Sequence, residues 1–346
     1  MLNPYQTLPD KAFWKLAVSN RNLFDIIDLY EPKFNITSNS KIITFGSCFA
    51  QHIGKALKRN GYNWYITESK PTWFSIDQTK TFNYDIFTCR TGNIYTTSLL
   101  KQWVKWSIGN IQSPNELWHI NNRFYDPFRP NIEPNGFYSY QEAMNSRLQT
   151  ICSFKRALLD ADIFIFTMGL TESWWNKTEN YEYPMCPGTV VGDFNNHKHL
   201  FMNQDYEFIK QELLEAINLI RKVNKNIKFI LTISPVPLTA TNSGSHVLVA
   251  TSESKSILRA VAASLKNTYS DVIDYFPSYE IINSPVFKGI FFEPNMRNVH
   301  PQGVKFVMKS FFDKIKNEKK ILSDEKKQKT KNNDVVCEEE LLNAFK

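Results

Sequence analysis

The sequence predicts an α/β fold in which helices cover both faces of a mostly parallel sheet. Three short apolar runs, at 41–45, 162–168 and 227–233, each end at a polar or turn residue. Apolar residues recur at helical spacing after them, most clearly over 205–223 and 252–265. Strands that alternate with helices of this length are typical of parallel sheets with both faces buried.

The remaining elements follow the same reasoning in chain order. Residues 1–40 form a lead-in packed on the core, with one short helix predicted over 10–17. A helix with Phe49, Ile53, Ala56 and Leu57 on its apolar face should follow the first strand, a short strand is expected at 272–275, and a last helix should follow Pro301. We therefore expect one α/β domain over 41–315, followed by a Lys-rich tail at 316–346.

Residues from about 70 to 150 do not follow the alternation of strands and helices. They are rich in Trp, Tyr, Asn and Pro, and they are too long for a simple connection. We interpret them as an insertion beside the strand ends that forms one wall of a binding pocket. Most of its aromatic side chains should pack in the core, although some could stack on sugar rings.

Composition excludes several classes of protein. The net charge of +7 is concentrated between Lys314 and Lys331, where eight lysines face three acidic residues, so the charge predicts a solvated tail and no nucleic-acid partner. Five scattered cysteines without a CxxC pair indicate reduced thiols and a cytoplasmic protein. We expect no cofactor, no metal site and no transmembrane segment, and the oligomeric state stays open.

Ligands of parallel α/β sheets bind outside the carboxyl ends of the strands. There, Gly46 and Ser47 lie between the first strand and a helix, where the amide of Ser47 and those of the helix N-terminus could bind an oxyanion. Taken alone, the pair also suits an ordinary helix cap. Cys48 is a rival nucleophile, because a thiolate at a helix N-terminus has a lowered pKa.

Several motifs resemble the GSCFA proteins, a branch of the SGNH/GDSL hydrolases. The string that names the family stands at 46–50, and further matching segments are Asn3-Pro4-Tyr5, Gly92-Asn93-Ile94-Tyr95, Asp126-Pro127-Phe128-Arg129-Pro130, Gly169-Leu170-Thr171-Glu172, Ser234-Pro235-Val236-Pro237, Ser254-Lys255-Ser256-Ile257-Leu258-Arg259 and His300-Pro301. The resemblance implies a flavodoxin-like α/β/α sandwich and a serine-centred esterase mechanism, with Ser47 as nucleophile and His300 as general base.

The chain departs from that pattern at the third catalytic position. SGNH enzymes usually place an Asp three residues before the histidine, and Arg297 stands there. Asn295, after a two-residue shift, or Glu293, in a loop that folds back, could orient His300 instead. A Ser-His dyad, a triad completed by one of these residues, and a degraded site therefore remain open.

The resemblance also indicates residues that could bind the substrate. Gly92, Asn93 and Thr171 are candidate oxyanion donors, and Glu172 is a structural or substrate-binding carboxylate. Arg129 could hold the carboxylate of an acidic sugar or could pair with Asp126.

We therefore expect a serine esterase or O-acyltransferase that acts on a small-molecule or glycan ester. A non-catalytic carbohydrate-binding protein on a degraded hydrolase fold is the alternative.

Overall fold

The structure is a computed structural model that describes residues 3–315 and 338–345. Elements are numbered in chain order. The strands are β1 (Ile42–Gly46), β2 (Trp118–Ile120), β3 (Arg123–Tyr125), β4 (Ile163–Met168), β5 (Glu172–Asn176), β6 (Glu182–Tyr183), β7 (His199–Asn203), β8 (Lys228–Ile233) and β9 (Ile273–Tyr275). The α-helices are α1 (Ala50–Arg59), α2 (Ile76–Thr81), α3 (Thr97–Ser107), α4 (Tyr140–Asp160), α5 (Tyr206–Val223), α6 (Val247–Thr268), α7 (Ser278–Asn283) and α8 (Pro301–Phe312).

A parallel sheet in the order β1-β4-β8-β9 forms the centre of the molecule. Alternate residues of β4 point to opposite faces, as the pleat of a strand requires. Phe164 and Phe166 pack with α3, α4, α5 and α6, whereas Ile163 and Ile165 pack with α1, α7 and α8. The predicted α/β fold with helices on both faces of a parallel sheet is confirmed.

Segments outside the sheet pack against its two end strands, β1 and β9. Trp64 forms a single parallel bridge with Ile42 beside β1, and its indole Nε1 donates to Thr44 Oγ1 at 3.0 Å. Beyond β9, the Tyr30 hydroxyl and the Lys33 amide both donate to the Asp274 carboxylate, at 2.9 and 3.0 Å. The lead-in therefore packs against the last strand of the sheet.

The lead-in lacks the continuous helix predicted over 10–17. A 3-10 turn at Asp10–Ala12 and a π-helical turn at Lys15–Ser19 replace it. Phe13 between them has extended backbone angles, which interrupts the helical hydrogen bonds.

Segments 70–150 and 172–203 surround the sheet. The first contains α3 and the first half of α4; Trp103 of α3 and Phe154, further along α4, are fully buried in the main core. The second forms a separate antiparallel sheet in the order β6-β5-β7, which the sequence did not indicate. Within the residues that the structure describes, no helix is long and apolar enough to cross a membrane.

Candidate functional site

Ser47 lies in the turn between β1 and α1, and Gly46 makes this turn possible. Gly46 has φ of +135°, and a Cβ at this position would lie 2.2 Å from the Thr167 carbonyl oxygen. Only glycine tolerates both conditions. The Ser47 side chain is buried, and its Oγ has no hydrogen-bond partner among the described residues. A buried hydroxyl of this kind is unusual in a packed interior and is typical of a functional group.

The turn also decides which amides are available to an oxyanion. The Ser47 amide donates to Thr167 O at 3.0 Å, and the amides of Ala50, Gln51 and His52 donate to carbonyls three residues earlier. Phe49 holds the cap position of α1, so Ser47 does not cap the helix. The expectation that the Ser47 amide and the α1 amides bind an oxyanion is wrong for this conformation, because carbonyls of β4 and of the turn occupy them.

Gly92 and Asn93 lie directly beside this turn. The Ile94 amide donates to Gly46 O at 2.9 Å, and the Gln51 side-chain amide donates to Asn93 Oδ1 at 3.4 Å. The Asn93 side-chain oxygen faces Gln51, so the Asn93 side-chain nitrogen Nδ2 faces away from Gln51, toward the site. Gly92 has φ of +70°, which lets the chain bend here. The structure thus brings these two predicted donors together with Ser47.

The segment after β4 forms the opposite side of the turn. A Cβ added to Gly169 would lie 3.0 Å from Ser47 Cβ, so the Gly169 backbone is in contact with the serine. Thr171 lies further back: its amide donates to Ser254 Oγ at 3.2 Å, and its hydroxyl donates to Asn203 Oδ1 at 2.7 Å. Both of its donors are therefore used by neighbouring protein groups.

Glu172 lies at the rim, where its carboxylate accepts from the Thr241 hydroxyl and, at 3.2 Å, from the Asn242 amide. Partial burial raises its pKa. These contacts tie β5 to the loop that precedes α6.

Lys255 is a buried residue of the site that sequence reasoning did not assign a role. Its ammonium on α6 donates to Gly169 O at 2.7 Å, and burial lowers its pKa to about 8. The available signal was a lysine on the apolar side of a helix within a family motif. The Lys255 ammonium places a positive charge near the Ser47 turn and near Cys48, which is itself buried.

His300 caps α8, and its Nδ1 accepts from the Gln302 amide at 3.2 Å. A neutral imidazole that accepts at Nδ1 carries its proton on Nε2. Since Ser47 Oγ has no partner among the described residues, the two side chains are not hydrogen-bonded. To accept the serine proton, His300 must therefore give up its contact with Gln302.

The loop before His300 contains the residues considered for the third catalytic position. Asn295 Oδ1 accepts from the amides of Arg297 and Asn298, both at 3.0 Å, and the Glu293 amide donates to Asn298 O at 2.7 Å. The Asn295 oxygen thus stabilises its own loop in this conformation. Arg297 projects toward the end of the chain and lies 3.2 Å from the Glu340 carboxylate.

Arg129 is fully buried in an ion cluster at one side of the site. Its Nε donates to Asp126 Oδ2 at 2.8 Å, and Arg147 donates to the other oxygen of this carboxylate at 2.7 Å. Two guanidinium groups hold the pKa of Asp126 below its usual value against the effect of burial. Of the two roles expected for Arg129, the pairing with Asp126 is the one that these contacts support.

A segment from the end of the chain completes the site. Asn93 Nδ2 donates to Glu338 Oε2 at 2.6 Å, and the Thr239 amide donates to Glu339 Oε1 at 2.7 Å. Glu338–Phe345 form a 3-10 helix, and most of the predicted tail before it lies outside the described residues. The tail therefore returns to the carboxyl end of the sheet.

An open groove of about 830 Å³ continues from the site along the second sheet. Its lining includes Glu172, Trp174, Phe194 and Leu342. A narrower pocket shares Glu172, Trp174 and Leu342 with the groove and is also lined by Tyr95, Leu170 and Glu339. The groove aromatics come from 172–203, whereas Trp103 and Trp106 of the predicted insertion are core residues.

The chain resembles a known protein family and a solved structure. No curated protein matches the chain. Among solved structures, the chain is similar to a crystal structure of an acetyl esterase mutant with an acetate ion, at 14% identity and a TM-score of 0.26, over 64% of this chain and 89% of that chain. The model of the GSCFA family matches residues 41–311, which include Ser47, Asn93, Lys255 and His300. The chain belongs to the GSCFA family.

Proposed function

We propose that the chain is a serine esterase or O-acyltransferase of the SGNH type, with Ser47 as nucleophile and His300 as general base. The observation that carries the proposal is the buried Ser47 hydroxyl, which has no hydrogen-bond partner among the described residues. It lies in a turn whose Gly46 carbonyl accepts from the amide of Ile94, the residue that follows Asn93. A hydroxyl that no protein group binds keeps its proton available to a general base and its oxygen available for attack, and an amide donor can stabilise the charge that develops on a carbonyl oxygen.

The reaction would proceed in two steps. Ser47 Oγ attacks the ester carbonyl while His300 Nε2 takes its proton, and the alcohol leaves with that proton. Water or a second hydroxyl then attacks the acyl-enzyme, gives its proton to His300, and releases the acyl group from Ser47, which recovers the proton. If water attacks, the protein is a hydrolase; if a second hydroxyl attacks, it is an acyltransferase. Asn93 is the best-placed oxyanion donor, because its side chain already donates to a carboxylate oxygen.

The groove along the second sheet would suit an ester of a carbohydrate. Trp174 and Phe194 line this groove, and aromatic faces are common platforms for sugar rings. We keep the cytoplasm as the proposed location, since no disulfide joins the described cysteines Cys48, Cys89, Cys152 and Cys186.

A carbohydrate-binding protein without catalytic activity is the second candidate. Two observations favour it: Arg297 occupies the acid position, and the Ser47 amide and Thr171 are bonded to other protein groups. In that case the groove would bind glycans and Ser47 would not react.

Labelling of the full-length protein with a fluorophosphonate, followed by peptide mapping, separates the two candidates. An adduct on Ser47 that is absent from Ser47→Ala supports the esterase. Cys48→Ala is the matched control and should label normally. No adduct on Ser47 under conditions that label a known serine esterase would overturn the catalytic proposal.

A further inference from the structure

The segment Glu338–Phe345, which we call the C-terminal strap, lies across the carboxyl end of the central sheet. Glu338 and Glu339 are 4% and 7% exposed, which is rare for carboxylates on a short terminal segment. They contact Asn93, Thr239 and Arg297, each from a different loop at the carboxyl end of the sheet. These contacts join parts of the chain that are far apart in sequence, so specific interactions must hold the strap at this position.

Each of the two carboxylates is bound by protein donors. Glu338 accepts from the side chain of Asn93 at 2.6 Å and from its backbone amide. Glu339 accepts from the Thr239 amide at 2.7 Å, and its second oxygen lies 3.4 Å from Arg297 Nη2. Buried carboxylates are stable only when their oxygens find donors or positive charges, and these loops provide both.

The site also contains positive charge that remains if the strap leaves. Lys255 is 1% exposed, and burial lowers its pKa to about 8, so its amine is still mostly protonated at neutral pH; the charge of Glu339 opposes the shift. The Arg297 side chain is 14% exposed, next to Glu339 and Glu340. Two largely buried cations require an anion in this space, whether it comes from the strap or from a ligand.

We propose that these groups form a carboxylate-binding site, that the C-terminal strap is its internal occupant, and that the ligand that displaces the strap carries a carboxylate. Glu338 takes the place of the acyl oxygens on Asn93, and Glu339 takes the place of an acidic group on the substrate. The inference rests on the proposed function in one respect: the ligand is then an acidic ester that Ser47 cleaves.

Hydrogen exchange of the full-length protein tests the binding site without any activity. The amides of 338–345 should be protected, and millimolar tricarballylate should raise their exchange at least severalfold, whereas its neutral triamide should not. Arg297→Gln should raise exchange about tenfold or more, because it removes the charged contacts with Glu339 and Glu340. Lys305→Gln, which removes an exposed charge from α8, is the matched control and should behave as wild type.

A substrate pair tests the ester. 4-Acetoxybenzoate and 4-acetoxybenzamide carry the same acetyl group and differ in one negative charge. In the wild type we expect kcat/KM to be about tenfold higher for the acid than for the amide. In Arg297→Gln the two values of kcat/KM should be about equal, because the charged contact that distinguishes the substrates is lost.

Three results would overturn the inference: unprotected strap amides in the wild type, equal effects of tricarballylate and its triamide, or equal rates with the two esters in an active enzyme. If tricarballylate displaces the strap but Ser47 neither labels nor cleaves an ester, the carboxylate site stands and the proposed function fails. The two ideas are thereby tested separately.

Discussion

Asn93 and Glu338 are joined by a hydrogen bond of 2.6 Å although they lie 245 positions apart in the chain. The bond ties the end of the chain to the residue that we propose as an oxyanion donor. It uses a donor that an ester carbonyl would need, so the acidic strap and a substrate cannot bind to Asn93 at the same time. We therefore expect this contact to compete with substrate binding.

The Asn93–Glu338 contact should depend on pH. Burial raises the pKa of Glu338 from 4.5 to about 7 in the docked strap. Since the docked pKa is the higher one, this contribution to docking is complete below about 4.5 and is lost as the pH rises through about 7. Protection factors of the 338–345 amides, corrected for intrinsic exchange, should fall over this window. In Glu338→Gln the fall should be absent; an unchanged fall would assign the titration to another group.

Ser47→Ala should lower kcat for an aryl acetate by about a thousandfold or more, because the nucleophile is lost while the fold is kept. Cys48→Ala should retain most of the activity. Initial rates, with circular dichroism as a check of folding, would decide between them. An inactive cysteine variant beside an active serine variant would make Cys48 the nucleophile.

His300→Asn separates catalysis from helix capping. Asparagine is a good N-cap, so α8 and the thermal midpoint should change little. It cannot act as a base, so kcat should fall by about a thousandfold. His300→Ala, which loses both functions, should lower the midpoint as well as the rate. Full activity of the asparagine variant would show that His300 is a capping residue only.

Substitutions in the loop before His300 address the third catalytic position. Asn295→Asp can keep both loop hydrogen bonds, since a carboxylate also accepts from the amides of Arg297 and Asn298. The added charge should raise kcat severalfold if this position orients His300, because it stabilises the imidazolium. Glu293→Gln should then change little. The opposite pattern would identify Glu293 as the acid, and no effect from either would indicate a dyad.

Gly46→Ala should prevent stable folding or lower the free energy of unfolding by more than about 3 kcal/mol. The new Cβ would lie 2.2 Å from Thr167 O, and the backbone cannot move away because β1 pairs with β4 there. Gly61→Ala is the control: it also has positive φ, at +76°, but no atom lies within 4 Å of the added carbon. It should cost about 1 kcal/mol in urea unfolding. Equal effects would contradict the steric argument.

The sequence was sufficient to predict the central sheet and the position of Ser47. Apolar runs and helical spacing are local signals, and they located β1, β4 and β8 to within a few residues. The second sheet at 172–203 was missed because its strands are short and contain polar and aromatic residues in no clear alternation.

The strap could not be predicted for a different reason. Its hydrogen bonds to Asn93 and Thr239 join residues 245 and 100 positions apart, and no local pattern encodes which loop an acidic segment will reach. The tail is also poor in apolar residues, so its composition predicted a solvated segment. Donors and cations at the site, rather than apolar burial, hold Glu338 and Glu339 in place.

Trp64 and the lead-in residues Tyr30 and Lys33 have a consequence for the behaviour of the protein in solution. The end strands of an open sheet present backbone groups that can pair with strands of other molecules. Asn63 and Tyr65 take the outward backbone groups of Ile42 on β1, and Tyr30 and Lys33 cover β9 through Asp274. These segments therefore protect the sheet from intermolecular strand addition, and a version of the protein without its first forty residues would expose β9 to aggregation.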